Sequence, residues 1–564
     1  MIFKDYPYVR PNLDEVKKAY EQAIAALKSA SVVEEVVFAI DSINKVRNTL
    51  QTMQSLVGAR NAIDTTDKFY EDEQNFFDEN SPFISGFENQ LALALHTSPF
   101  KPDLINKYGK QLFALIEANL KTFKPEIIED LQEENKLVTE YTKLTASAKI
   151  EFDGKINNLS QMAPYAISLN RDTRKQAEAA VMKFFEGNEA KYDEIYDKLV
   201  KTRTRIAKKL GYENFVEVGY ARLGRTDYDS KMVANYRKQV EKDLVPVAVS
   251  IFQEKAKRLG IKDMKSYDLG INFVSGNPKP QGDRDFLVAQ AQKMYHAMSK
   301  ETGEFIDFMI NHELLDLEAK QGKAGGGFCT YFPDYQSPFI FSNFNGTAGD
   351  VDVLTHEAGH AFQVFSSRHF AVPEYYWPTM ESAEIHSMSM EFFAWPWIDL
   401  FFGKDTDKYK YEHLAGSITF IPYGVAVDEY QHEMYENPEL TPDERKAVWR
   451  RIEKKYLPYK VYDNAFLEKG TYWFRQGHIF NTAFYYIDYT LAQVCVQQFW
   501  ILNRDNHQKA WEKYYKLCTL GGSKSFLGLI ADTGLKNPFV DGTVALIAKE
   551  LQAFLDNFDQ SKLK

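Results

Sequence analysis

Apolar residues recur at intervals of three and four through most of this 564-residue chain. That spacing lines one face of an α-helix, so the pattern predicts helices. In the first part, "LDEVKKAYEQAIAALKSA", "VEEVVFAIDSINKVRNTLQTMQSLV" and "PEIIEDLQEENKLVTEYTKLTASA" carry it, and antiparallel helices packed on one another account for them. "KIEFDGKIN", residues 149–157, instead alternates around Asp153-Gly154, a hairpin signal. Helical spacing resumes at "LNRDTRKQAEAAVMKFFEG", with Asn170 or Asp172 available as its cap. A boundary near residue 168 therefore divides a helical domain, 1–168, from a second domain, 169–564.

The second domain continues through "DEIYDKLVKTRTRIAKKLG", "AVSIFQEKAKRLG" and one long helical segment, "FLVAQAQKMYHAMSKETGEFIDFMINHELLD". Between them "SGNPKPQGDRD", 275–285, is a loop by composition. Then the pattern breaks. "GKAGGGFCTYFPDYQSPFIFSNFNGTAGD" reads as glycine-rich turns and short strands rich in Phe and Ile, and helices return from about residue 380. The expected class is mainly α with a small β-sheet.

The helix that follows those strands is chemically unusual. In "DVLTHEAGHAFQVF", residues 352–365, His356 and His360 lie one turn apart on the same face. Glu357 sits about 100° around the helix, close enough to lean over the same spot. Two hydrogen-bonded core histidines are the plain alternative. H-E-x-x-H is, however, the pattern of a zinc-binding metallopeptidase helix, and 11 histidines in this length give roughly 0.02 chance matches.

A catalytic zinc takes three protein ligands and keeps one position open. The next helix, "TMESAEIHSMSMEFFAWPW", offers Glu381, Glu384 and Glu391 on one face. Carboxylates in so apolar a helix are costly unless a positive charge lies opposite. Spacing leaves the choice among them open, although Glu384 is central in the row and 24 residues beyond His360. Glu381 or Glu391 could then orient a histidine through its other ring nitrogen. Glu357, beside the ligands and not one of them, is the candidate general base.

Charge and cysteine content narrow the classes. The net charge is −11, from 68 basic and 79 acidic residues, which argues against nucleic acid as a main partner. Three scattered cysteines, Cys329, Cys495 and Cys518, give neither a disulfide framework nor a thiolate metal site. "MIFKDYPYVRPNLDEV" is no signal peptide, and no run of 18 apolar residues would span a membrane. A reduced, cytoplasmic protein is expected.

"HEAGH" followed by "ESAEIHSMSMEFF" resembles the thimet oligopeptidase and oligoendopeptidase F family of zinc metallopeptidases, particularly its bacterial Pz-peptidase-like members. The resemblance implies one zinc per chain held by His356, His360 and Glu384, and two helical lobes around a deep substrate channel. It also implies that His478, Tyr486 and Tyr489, in "GTYWFRQGHIFNTAFYYIDY", hydrogen-bond the substrate and the developing oxyanion. Their spacing departs by one residue from the thimet enzymes, which leaves Tyr485 and Tyr486 as alternatives. The implied activity is endopeptidase cleavage of short oligopeptides; relatives of the Pz type accept collagen-derived sequences.

A zinc exopeptidase is the nearer rival, although the G-A-M-E-N signature of one aminopeptidase family is absent; a noncatalytic peptide-binding scaffold is the more distant one. The strand "PFIFSNF", 338–344, is equally a candidate for edge pairing with an extended peptide and for a purely structural sheet strand, and Gly325–Gly327 for a turn near the cleft. His96, His296, His312, His413, His432 and His507 stand alone and read as packing or surface residues.

Overall fold

A computed structural model describes residues 1–320 and 322–564. Helices dominate, and the described residues contain one two-stranded and one three-stranded sheet. The segments predicted first become helices Leu13–Ser29, Val33–Ile63 and Ile128–Ala146. The Asn12 side chain caps the first of them by accepting from the Asp14 and Glu15 amides. The hairpin pairs β1 (Ile150–Phe152) with β2 (Lys155–Asn157). Its turn holds Asp153 and Gly154 at φ 52° and 70°, the left-handed pair that matches strand twist. Asn170 caps Arg171–Gly187 through the Thr173 amide.

One predicted helix is two. The long segment divides into Arg284–Met298 and Lys300–Asn311. Ser299 is extended between them, and its hydroxyl accepts from the Thr302 amide at 3.1 Å. Met298 and Thr302 are both buried, so the four-residue interval runs across the break and conceals it.

The second sheet has the order β3-β5-β4, with β3 at Leu315–Glu318, β4 at Phe328–Phe332 and β5 at Ser337–Phe344. Here the expectation for 338–344 fails. β5 is the central strand, parallel to β3 and antiparallel to β4, so both of its hydrogen-bonding edges are taken. Its run of apolar residues reflects burial, with Ser337 to Ser342 all inside. The margins of the sheet are β3 and β4.

The two sides of residue 168 meet along a broad seam. The Phe3 amide donates to the His312 carbonyl at 2.9 Å, and the Phe3 ring stacks 4.3 Å from Phe339. The Tyr6 hydroxyl donates to Ser337 Oγ at 3.0 Å. Farther along, Ala324 donates its amide to the Ala62 carbonyl at 2.8 Å. Among the described residues, no helix is long and apolar enough to cross a membrane.

Three helices carry the candidate chemistry: Gly349–Ser367 with the two histidines, Met380–Phe393 with the row of glutamates, and Tyr486–Asp505 with the tyrosines. The first two cross closely at Gly359. A β-carbon there would lie 2.6 Å from both the His386 carbonyl oxygen and Ser387 Cα, which are backbone atoms that cannot swing aside. Gly359→Ala is therefore expected to force the helices apart and to destabilise the fold by about 1–3 kcal/mol. Chemical denaturation measures the loss, and an unchanged midpoint would refute close packing at this crossing.

Candidate active site

The histidine helix and the glutamate helix bring three donor atoms together. His356, His360 and Glu384 each offer one atom, all within 4.8 Å of one another. Glu384 Oε2 lies 3.3 Å from His356 Nε2 and 3.4 Å from His360 Nε2. Zinc bonds of about 2.0–2.1 Å in tetrahedral array set ligand atoms about 3.3–3.4 Å apart, so these two edges fit a metal.

Electrostatics agrees with the spacing. Glu357, Glu384 and Glu391 cluster here, and among the described residues no Lys or Arg pairs with any of them. Burial disfavours the charged Glu384 carboxylate, but His360 and His356 outweigh it and hold its pKa well below the usual range. Desolvation likewise opposes protonation of His356, while Glu384 and Glu391 raise its pKa well above the ordinary value. Such a site seeks a cation, and a metal ion satisfies it where a proton otherwise would.

The donors are held from behind. Glu391 Oε1 accepts from His356 Nδ1 at 2.7 Å, leaving Nε2 for a metal. The other oxygen, Oε2, meets His413 Nε2 at 2.7 Å, and the Trp395 indole donates to His413 Nδ1 at 3.0 Å. An indole N–H can only donate, so His413 Nδ1 must accept and its proton sits on Nε2, facing Glu391. Glu384 is fixed too: Tyr485 donates to Oε1 at 2.5 Å and Ser387 to Oε2 at 2.9 Å. Glu391→Gln is expected to weaken metal affinity roughly 10–100-fold. Competition against a chelator reads this, and an affinity equal to the parent's would show that Glu391 does not orient His356.

Of the other glutamates, Glu381 is buried but turned toward Thr379, Arg225 and Asp488. Burial and the Asp488 charge push it up to about 8, despite Arg225. His386 is buried and engages the Ser382 carbonyl at 2.7 Å, away from the donors.

Glu357 is buried beside the ligands, and burial raises its pKa against the pull of His356 and His360. Gly327, the last of the three glycines, comes up against it. A β-carbon on Gly327 would lie 3.4 Å from Glu357 Oε1 and 2.9 Å from Val353 Cγ1. The glycine turn thus brings the entry of β4 over the carboxylate.

His478 faces the same space. The Gln476 amide donates to His478 Nδ1 at 2.8 Å, and its Oε1 accepts from Tyr423 at 2.8 Å. His478 is thereby the Nε2–H tautomer, and desolvation lowers its pKa, favouring the neutral ring. Nε2 lies 3.3 Å from the Tyr489 hydroxyl. Tyr485 and Tyr489 lie against each other with centroids 4.9 Å apart and planes tilted by 37°. Tyr486 packs instead against His478, Tyr423 and Phe420 at 4.9, 5.8 and 5.7 Å, so of the two alternatives it is Tyr485 that touches Glu384.

Family models match this architecture in two places: the peptidase M3 N-terminal domain over residues 3–123 and peptidase family M3 over residues 165–548. The chain belongs to peptidase family M3. It is 25% identical over 493 residues to an oligoendopeptidase F homolog of Borreliella burgdorferi (strain ATCC 35210 / DSM 4680 / CIP 102532 / B31), covering 81% of each chain. Among solved structures, Pz peptidase A with an inhibitor superposes at TM-score 0.97 with 54% identity over 99% of both chains. An oligoendopeptidase F of Enterococcus faecium shares the fold at TM-score 0.65 and 14% identity over 97% of both. As an M3 member the chain is a metallo-oligopeptidase with a mainly α fold.

Sequence reading offered Glu381 or Glu391 as the residue behind a histidine, and missed the rest of the supporting layer. His413 stood alone in the sequence, 22 residues from Glu391, yet the two share a hydrogen bond. No local spacing announces that contact. Gln476, two residues before His478, was the nearer signal: a polar amide beside a candidate histidine.

Proposed function

We propose that this chain is a zinc-dependent endopeptidase of short oligopeptides, with His356, His360 and Glu384 as the metal ligands and Glu357 as general base. The convergence of those three donor atoms beside a buried glutamate carries the reading. Zinc bound there would act as a Lewis acid and bring the pKa of a water molecule down to roughly 7.

The remaining work falls to the protein. Glu357, its pKa lifted toward neutrality by burial, accepts the proton of the attacking water and passes it to the leaving amine. His478 Nε2–H and the Tyr489 hydroxyl stand as neutral donors for the carbonyl oxygen as it gains charge. Tyr485 holds Glu384 Oε1 and so turns Oε2 toward the histidines. We assign no such contact to Tyr486. The marginal strand β4, which enters past Glu357 at Gly327, offers its backbone to an extended peptide.

The experiment is a metal assay beside digestion of defined peptides, with and without chelator. One zinc per chain, internal cuts seen by mass, and activity lost on chelation are expected. Activity in metal-free protein would overturn the reading, and release of single terminal residues would replace it with an exopeptidase. Collagen-derived peptides belong among the substrates tried, because a relative is named for the Pz type. We also retain the boundary near residue 168 and a cytoplasmic location as proposals; limited proteolysis and cell fractionation test them.

A further inference from the structure

The tyrosine helix begins without a side-chain cap. Ser, Thr, Asp or Asn usually accepts from the first amides of a helix, but Tyr485, which precedes Tyr486–Asp505, does not. The start is fixed instead by the residue before it. Phe484 has φ 66°, in the left-handed region that a bulky side chain rarely adopts. The other described non-glycine residues there, Asp153, Glu313 and Gln336, are polar and exposed, whereas Phe484 is fully buried. Such a conformation persists only where its surroundings over-determine it. Three contacts do so here. The Phe484 amide donates to Gln431 Oε1 at 2.9 Å, and its carbonyl accepts from Arg225 Nη2 at 2.6 Å. Its ring lies 4.8 Å from His432 and 5.4 Å from Tyr435, and a β-carbon on Gly219 would come within 2.5 Å of its Cδ2.

Resting on the oligopeptidase reading above, we propose that Arg225 is a positioning residue: it holds Phe484 in this conformation and so aims Tyr485 and Tyr489 into the site. The Nη2 that donates to the Phe484 carbonyl also donates to Asp488 Oδ1 at 2.6 Å. One nitrogen therefore ties the residue before the helix to the first turn within it. The Arg225 side chain is completely buried, with Cζ 4.3 Å from the Tyr220 ring centroid and 5.5 Å from that of Tyr228, so it has no room to swing away. Tyr485 and Tyr489 are four residues apart and share a face, so a turn of the helix start carries both. It would draw Tyr485 off Glu384 Oε1, now at 2.5 Å, and Tyr489 off His478 Nε2, now at 3.3 Å. Arg225 acts through these two rings.

The test is a pair of double-mutant cycles. At saturating zinc, Arg225→Met should lower kcat roughly 10²-fold with KM little changed, the cost of about 1 Å of misplacement. Arg225→Lys, which keeps a donor and the charge opposite Asp488, should recover part of that loss. Against Tyr489→Phe most of the Arg225→Met loss should vanish, because the hydroxyl that Arg225 aims is gone. Zinc affinity, read by competition with a chelator, reports on the other ring: Arg225→Met should weaken it roughly 10–100-fold in the parent and little against Tyr485→Phe. Equal factors with and without the tyrosine hydroxyl would make Arg225 a structural residue only, and no loss in either would show that it does not set the rings; both results overturn the proposal. Should Arg225→Met fail to fold, Gln431→Met removes the acceptor of the Phe484 amide at nearly constant volume and runs the same cycles with the same outcomes. If the parent cleaves no peptide, it is the endopeptidase reading that has failed, and the zinc cycle alone decides the role of Arg225.

Discussion

Glu357→Gln keeps its metal and loses turnover, by about 10²–10⁴-fold from the proton-transfer role alone. The amide preserves the shape of the side chain, and the donor atoms of His356, His360 and Glu384 do not depend on it. What disappears is the basicity. The buried carboxylate, its pKa raised by desolvation, can accept a proton, whereas an amide cannot. Zinc content and single-turnover rates measured on the same preparation check both halves. A variant that binds zinc and cleaves at the parent rate would remove Glu357 from the chemistry.

Glu384→Ala fails at an earlier step. Here one of three donors goes, and the cost to metal affinity should exceed the 10–100-fold seen for supporting residues. The loss also leaves Tyr485 and Ser387 without the carboxylate they bind at 2.5 and 2.9 Å. Activity should fall with zinc occupancy and return in part at high zinc concentration, a recovery that Glu357→Gln cannot show. Full zinc content after dialysis would move the third ligand to another residue. The two variants therefore distinguish losing the base from losing the ion.

How far the sequence reached depended on whether the relevant physics was local. Helix periodicity, caps such as Asn12 and Asn170, and the Asp153-Gly154 turn are set by residues a few positions apart, and all were legible. The two histidines shared a face for the same reason. The break at Ser299 was local too, but the apolar interval that spans it masked the cap. Strand order was not local. "PFIFSNF" is as consistent with a marginal strand as with a central one until its two neighbours are placed. Of the network behind His356, Glu391 was already a candidate, but His413 and Trp395 were out of reach, since they become its partners only through tertiary packing. Tyr485 and Tyr486 are adjacent in the chain, and only the start of their helix decides which ring turns toward Glu384.

The seam between Tyr6 and Ser337 also has a temporal meaning. The two residues are 331 positions apart. At a synthesis rate of about 5–20 residues per second, Tyr6 leaves the ribosome roughly 15–65 s before its partner exists. For that interval the rings of Phe3 and Tyr6 have no sheet to rest on, and their burial waits for Phe332, Tyr335 and Phe339 to be made.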